Sequence, residues 1–171
     1  MIDDDLTHHT VGSAGMELTY PNEHTPLPVT FRLRLASGWQ PRPHATAAAC
    51  AVDSRSPKEF AVNLVVLVTR VLADTSLAEL VRAIHESPQT SGLDPSVQGP
   101  TPDRIGGYDA LLSVLTFTKE LPLFQAQAAV LVPRGGQARD LVHLYATCPA
   151  AVAKQYATAF RAMFATLTIG A

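Results

Sequence analysis

The pattern of apolar and polar positions along the chain predicts strands of two kinds. Residues 29–35 alternate, with their apolar side chains on one face and two arginines on the other, which is typical of a half-buried strand at a sheet edge. Residues 61–71 and 108–118 are instead apolar at both alternating positions, and residues 61–71 are also rich in β-branched side chains. We expect these two segments to be strands that are covered on both faces.

The same alternation predicts two strands nearer the C-terminal end. Residues 124–132 place two glutamines opposite a row of apolar positions, and residues 138–147 place His143 and Tyr145 on one face. The residues between them, 133–136, are Pro-Arg-Gly-Gly, a composition that favours a hairpin turn. Short turns join the last three predicted strands, which indicates an antiparallel meander.

Turn-forming residues separate these segments. Residues 36–43 contain a glycine and two prolines and are predicted to be a turn. Residues 47–52 can form a short strand of small residues. Residues 88–107 are rich in Pro, Gly, Ser and Asp and predict a loop, with a short strand around Val97.

Two helices are predicted. The first begins at Ser76, which forms a capping-box pattern with Glu79 because each side chain can satisfy a free amide of the first turn. The second follows Pro149, a residue that the first turn of a helix tolerates. Apolar residues then recur at helical spacing almost to the end of the chain.

These elements define an α+β fold, in which an antiparallel sheet of about six strands is sandwiched by two helices. The length of 171 residues suits one domain with its own core. Residues 1–28 show little apolar periodicity and are expected to be a flexible N-terminal segment. Residues 29–171 are expected to form the single α+β domain.

Composition excludes several classes of function. Thirteen basic residues against fifteen acidic ones give a net charge of −2, which leaves no cationic surplus for a nucleic-acid backbone. No apolar run approaches the roughly 20 residues of a membrane-spanning helix. The start of the chain is acidic, unlike a secretory signal, so we expect a cytoplasmic protein in which Cys50 and Cys148 stay reduced.

The sequence contains none of the common catalytic or metal-binding motifs. Its six histidines and two cysteines lack the paired spacing of a zinc site. No nucleophile elbow or glycine-rich phosphate loop occurs. Cys148 lies near the start of the second predicted helix, where a thiol pKa can be lowered, but an inert thiol is favoured. We therefore predict no catalytic residue, no metal, no cofactor and no enzymatic activity.

Four bulky side chains with polar tips lie in or near the predicted strands, and they are candidates for lining a groove that binds a partner or a ligand. They are Trp39, Tyr108, His143 and Tyr145. The alternative is that each packs in the core or at its rim, with its polar tip hydrogen-bonded.

Several segments together resemble a known family. Residues 31–39 read as a strand followed by Gly-Trp, residues 61–67 as a central strand, Ser76 as a helix start, and residues 106–110 as a glycine pair before a strand. In this order they resemble the LpqN/LpqT-type lipoproteins of actinobacteria and, more broadly, the PsbP-like fold, over residues 29–169. From its acidic start we expect this chain to differ from the lipoprotein members in having no leader or lipobox.

The resemblance implies an antiparallel sheet flanked by helices and no conserved catalytic set. Relatives are mostly non-enzymatic: envelope lipoproteins suspected of handling lipids, photosystem accessory proteins, and chaperones of secretion effectors. Our hypothesis is a non-catalytic module that binds a protein or peptide through an apolar sheet face or groove, as an adaptor or secretion-accessory chaperone. Homodimerisation through the same surface is an additional expectation.

Two alternatives stay open. A carrier of a lipid or small hydrophobic ligand would need an apolar cavity of roughly 300–1,000 Å³. An uncharacterised hydrolase would use His143 or Cys148.

Overall fold

The structure, a computed structural model, describes residue 21 and residues 27–87, 95–134 and 138–170. Residues 1–20 and 22–26, which make up most of the predicted flexible segment, lie outside the described residues. Residues 88–94 of the predicted loop, and residues 135–137 of the predicted hairpin turn, also lie outside them.

The described part of the chain contains nine strands and two α-helices, with a 3₁₀ turn at Ala150–Val152 before the second helix. In chain order they are β1 (Phe31–Arg32), β2 (Trp39–Pro41), β3 (Ala49–Asp53), β4 (Asn63–Leu72), α1 (Leu77–His85), β5 (Ser96–Ile105), β6 (Tyr108–Thr118), β7 (Pro122–Pro133), β8 (Ala138–Pro149), α2 (Ala153–Ala165) and β9 (Thr168–Ile169).

Seven strands form one antiparallel sheet in the order β2-β3-β4-β8-β7-β6-β5, and β1 pairs separately with β9. The meander β6-β7-β8 is the predicted one, and β8 continues the sheet by pairing antiparallel with β4 over ten residues. This pairing joins the N-terminal and C-terminal halves of the chain in one sheet. The prediction of an antiparallel sheet is confirmed.

The two helices lie on opposite faces of this sheet. On the α2 face, side chains of β4, β7 and β8 such as Leu64, Val130 and Leu144 form a core with Phe160 of α2. On the α1 face, Ala129 and Leu141 pack against Val81 of α1. The prediction of a sheet between two helices, and hence of an α+β fold, is confirmed.

Helix α1 begins as the sequence predicts. The Glu79 amide donates to the Ser76 hydroxyl at 3.2 Å, and the Ser76 amide donates to the Glu79 carboxylate at 2.9 Å. These two bonds satisfy donors that the first helical turn leaves free. The Ser76 hydroxyl also donates to the Glu79 carboxylate at 2.7 Å, and this bond, with that from the Ser76 amide, holds the pKa of the Glu79 carboxyl below its ordinary value.

Strand β4 is covered on both faces only in its first half. Leu64, Val65 and Val66 are all buried, whereas Thr69 and Leu72 are exposed. Strand β6 shows the same gradation, with Ala110, Ser113 and Leu115 buried and Thr116 exposed. Two-sided burial is therefore confirmed in part of each strand, because the apolar pattern extends beyond the area that the helices cover.

The edge strand predicted over residues 29–35 is reduced to the two residues of β1, which lies outside the seven-stranded sheet, and three other strands were not predicted or are longer than predicted. Residues 39–41 form a strand rather than part of a turn, because Trp39 pairs with Asp53 of β3. Strand β5 runs for ten residues rather than a short stretch around Val97. The chain also ends on β9, whose Ile169 pairs with Phe31. All three are edge or isolated strands, which pair on one side only and so tolerate prolines and polar residues.

Candidate functional site

The four predicted groove residues lie on two faces of the sheet. Trp39 and Tyr108 pack against the core of the α2 face. His143 and Tyr145 belong to β8 and project from the α1 face, since they alternate with the α2-face residues Leu144 and Ala146. The structure therefore brings His143 and Tyr145 together, whereas four strands separate β2, which carries Trp39, from β6, which carries Tyr108, and the four residues line no common groove.

Trp39 is a core residue. It is 7% exposed, and its ring meets that of Phe160 edge to face, with centroids 6.0 Å apart and planes at 80°. This is a favoured arrangement for two aromatic rings. Tyr108 is half-buried at the start of β6 and packs against the same core. Both residues therefore support the packing of α2 on the sheet.

His143 and Tyr145 form an aromatic pair on the α1 face, with ring centroids 5.2 Å apart. His143 is 8% exposed, and this burial lowers its pKa to about 4, with a smaller contribution from the nearby His85. The imidazole is therefore neutral at pH 7. Burial also raises the pKa of the Tyr145 hydroxyl, so this pair carries no charge under physiological conditions.

A chain of polar side chains crosses the α1 face beside this pair. The His85 Nε2 atom lies 3.2 Å from the Ser113 Oγ and 3.3 Å from the Gln127 Oε1. Gln127 donates its amide to Gln125 at 2.6 Å, and Gln125 donates to Thr147 at 3.0 Å. The alternation of residues 124–132 predicts the two glutamines on one face, but the sequence does not reveal that His85 reaches them.

The distance between His85 and Ser113 is that of a base beside a serine nucleophile, but the direction of the hydrogen bond is not. Because the amide nitrogen of Gln127 donates to Gln125, its oxygen faces His85 and accepts a hydrogen bond. The His85 Nε2 therefore carries the proton in this arrangement, and it donates rather than accepts. A base for Ser113 would need the opposite tautomer.

The sheet separates Cys50 from Cys148. It also separates Cys148 from His143, the other candidate hydrolase residue. Cys148 is fully buried in the core of the α2 face, and burial raises its thiol pKa to about 11. It is a free cysteine, as is Cys50, which pairs in register with Val65 and so projects from the α1 face. Cys148 therefore does not have the lowered thiol pKa that a position near a helix start can give. His143 lies on the other side of the sheet from Cys148.

A groove of about 350 Å³ opens on the α2 face between the β5 end of the sheet and helix α2. Its floor is apolar and comes from β6 and β7, and α2 forms one wall. The side chains that matter for this shape are those of Leu112, Val114, Phe124, Ala126, Ala157 and Phe164. The rim is polar and exposed, with Gln98, Thr101 and Asp103 on β5 and Arg161 on α2. Sequence reasoning missed this groove.

Strand β5 reaches over the groove through an irregularity at Gly99. The register with β6 shifts between Gln98 and Thr101, and Gly99 has a φ of +99°. A Cβ atom at this position would lie 2.7 Å from the carbonyl oxygen of Leu112. Only glycine fits both the backbone conformation and the close approach, so the shape of this rim depends on Gly99.

We expect Gly99→Ala to destabilise the protein by about 2–3 kcal/mol, because a strained φ and a backbone clash add together. Gly107→Ala is a matched control, since Gly107 has a φ of +86° but a Cβ atom there would meet no other atom within 4 Å. It should lose only about 1 kcal/mol. Urea unfolding of both variants measures the difference, and equal losses would show that the Leu112 carbonyl adjusts without cost.

Both edges of the seven-stranded sheet carry prolines. Strand β5 includes Pro100 and Pro102, and β2 ends at Pro41. A proline offers no backbone N–H to an added strand, and such residues protect sheet edges against pairing with another chain. Addition of a strand from another chain is therefore disfavoured at both edges.

Two further observations concern only the residues that the structure describes. Among them, no three His, Cys, Asp or Glu side chains lie close enough together to hold a metal ion. No helix in these ranges is long and apolar enough to cross a membrane.

The fold is shared with solved proteins. No protein-family model matches the chain, and no curated protein matches it. The structure is similar to LpqN of Mycobacterium tuberculosis, described as involved in cell envelope biogenesis, with a TM-score of 0.70 at 17% identity over 87% of this chain and 88% of that one. It is also similar to cyanobacterial PsbP from Synechocystis, with a TM-score of 0.54 at 12% identity over 92% and 99% of the two chains. The resemblance seen in the sequence is thus confirmed at the level of architecture: this chain has the PsbP-like fold of LpqN.

Proposed function

We propose that this protein is a non-catalytic binding module that holds an apolar peptide segment of a protein partner in the groove between β5, β6, β7 and α2. The observation that carries this proposal is the groove itself, with its apolar floor and exposed polar rim. Clefts of this kind bind ligands by burying apolar surface, while a few polar groups fix orientation.

The size and openness of the groove favour a peptide segment. Its volume of about 350 Å³ is at the lower end of the roughly 300–1,000 Å³ range of ligand pockets. The rim residues Gln98, Thr101, Asp103 and Arg161 are all exposed, so an occupant can enter and leave the groove along its length. A peptide can bury one or two apolar side chains there while its backbone stays at the rim.

The α1 face is less suited to this role. Its polar side chains satisfy one another through the chain from His85 to Thr147. A partner that packed on them would have to match or break these bonds, and unmatched polar groups are costly to bury. In the groove, by contrast, apolar side chains of β6 and β7 form much of the floor.

The similar structures support the fold of this chain, and their descriptions name no binding partner. LpqN is described as involved in cell envelope biogenesis, and the cyanobacterial neighbour is named as PsbP. The adaptor or chaperone role of this chain, the absence of enzymatic activity and its cytoplasmic location remain proposals. The carrier of a small hydrophobic ligand is the second candidate, because the same groove volume would accept a short apolar molecule.

Filling the groove tests the proposal. Ala157 is half-buried on α2 and lines the groove, whereas Ala162 is exposed on the same helix and does not. Peptides selected from a phage-displayed random library on the wild-type protein should carry apolar residues. We expect Ala157→Trp to weaken their binding by about tenfold or more, equivalent to about 1.4 kcal/mol, because the indole occupies the peptide's place.

Ala162→Trp is the control and should bind like the wild type. Isothermal titration calorimetry and native mass spectrometry measure the binding. If no apolar peptide is enriched, or if both variants bind equally well, the groove is not a peptide site. Retention of a small apolar molecule by the wild type and its loss from Ala157→Trp would instead favour the carrier.

A further inference from the structure

The groove is charged differently on its two sides. Arg161 lies on the α2 rim and Asp103 on the β5 rim, and they are the two charged side chains among the described residues that line the groove. Within the described part of the chain, Arg161 makes no ion pair with a carboxylate. A guanidinium that protrudes over an apolar floor without a carboxylate of its own is available to an acidic group of the occupant.

The β5 rim shows the opposite arrangement. Asp103 is exposed, and one of its carboxylate oxygens accepts a hydrogen bond from the Arg104 amide at 2.8 Å. The Arg104 guanidinium is engaged elsewhere, with Asp109 and the Gly107 carbonyl. The Asp103 carboxylate is therefore not paired with the Arg104 guanidinium, and at the rim it would repel an acidic group and attract a basic one.

Resting on the proposed peptide-binding function, we infer that the groove selects a dipolar segment, in which an apolar residue is flanked by an acidic residue on the α2 side and a basic residue on the β5 side. Charge complementarity of this kind contributes mainly to specificity and orientation. An ion pair between a rim side chain and the bound peptide would be exposed to solvent, and exposed ion pairs contribute little to the free energy of binding. We therefore expect each matched charge to change the dissociation constant by about threefold.

Charge reversal at the two rims tests this inference. The probes are three synthetic peptides with blocked ends and the same central apolar residue. One is dipolar, with Glu on one flank and Lys on the other, one has Glu on both flanks, and one has Lys on both. A fourth peptide with neutral flanks reports the apolar contribution alone, and fluorescence anisotropy measures each dissociation constant.

The wild type should prefer the dipolar peptide by about threefold over either peptide whose two flanks carry the same charge. Arg161→Glu makes both rims acidic and should prefer the peptide with two lysines. Asp103→Lys makes both rims basic and should prefer the peptide with two glutamates. A merely structural role of either residue would weaken all four peptides alike and would not exchange their ranking.

The outcomes separate this inference from the proposed function. If the ranking is the same in all three proteins while the neutral peptide still binds and Ala157→Trp still weakens its binding, the charged rims do not select and the inference is overturned. If the neutral peptide does not bind either, the proposed function itself fails. Should a reversed variant not fold, Arg161→Gln and Asp103→Asn each remove one charge and should each erase one of the two preferences.

Discussion

Asp140→Ala is expected to destabilise the protein by about 3–5 kcal/mol, the loss typical of removing one partner from a buried ion pair. Asp140 is fully buried at the start of β8. Its carboxylate accepts the Val29 amide at 2.9 Å and the Arg70 Nε at 3.1 Å, and it lies 3.4 Å from the Arg134 Nε. Removing it leaves a backbone donor and two guanidinium groups without this acceptor.

The matched control is Asp109→Ala. Asp109 also pairs with an arginine, Arg104, at 3.4 Å, but their side chains are 86% and 70% exposed. Such a surface pair contributes about 0–1 kcal/mol. Denaturant unfolding at pH 7 measures both losses, and a loss at Asp140 no larger than that at Asp109 would contradict the role given to burial.

Asp140→Asn separates charge from shape. The amide keeps an oxygen that can accept the Val29 amide, but it cannot neutralise Arg70 or Arg134. We expect it to recover only a minor part of the loss, about the 1 kcal/mol of one ordinary hydrogen bond. If Asp140→Asn were as stable as the wild type, the carboxylate's charge would be irrelevant to the fold.

The parts of the fold that follow from local pattern are predictable from the sequence. The faces of β7 and β8 follow from alternation, because each strand is long and one of its faces is a core. The start of α1 follows from Ser76 and Glu79, which interact within one turn. Such signals need no knowledge of distant residues, and the structure confirms them.

The parts of the fold that depend on pairing between separate segments of the chain are not predictable from the sequence in this way. Strands β2 and β9 are too short to show a pattern, and each exists because another strand pairs with it, β3 for β2 and the distant β1 for β9. The prolines of β5 look like breakers, but an edge strand has a free side on which a missing N–H has no consequence. Register, rather than propensity, decides these elements.

The candidate site shows the same limit. Trp39 and His143 are both bulky with polar tips, but the order β2-β3-β4-β8 and its registers decide that they leave opposite faces. Residue type alone cannot supply that order. The groove depends on the bend of β5 at Gly99 and on the position of α2, and both are set by tertiary packing. Its rim residues are exposed and follow no apolar pattern.

Asp53→Asn is expected to destabilise the protein by about 2–3 kcal/mol at pH 7, because a buried carboxylate loses its charge-assisted hydrogen bonds. Asp53 is 1% exposed and accepts the Tyr156 hydroxyl of α2 at 3.1 Å, which joins β3 to the helix that forms one wall of the groove. It also accepts the backbone amide and the guanidinium of Arg55, each at 3.0 Å. The Arg55 side chain is 64% exposed, so solvent screens its share.

The effect should also depend on pH, with a sign that follows from the pKa of Asp53. Burial raises this pKa, but the hydrogen bonds from Arg55 and Tyr156 outweigh burial and hold it below its ordinary value. A lowered pKa in the folded state means that the ionised carboxylate favours folding above the unfolded value of about 4. That contribution is lost progressively as the pH falls from about 5 through the folded pKa.

The measurement is the difference in the free energy of unfolding between the wild type and Asp53→Asn at a series of pH values. Taking the difference cancels the contribution of the other carboxylates to the free energy of unfolding, because they titrate in both proteins. It should be constant from about pH 6 to 8 and shrink below about pH 5. Tyr156→Phe removes one donor to the carboxylate, so Asp53→Asn should cost less stability when it is made in the Tyr156→Phe protein. Tyr156→Phe should also weaken binding in the groove, because α2 loses its bond to β3. A difference that grows towards acid pH would mean that burial, rather than hydrogen bonding, dominates at Asp53.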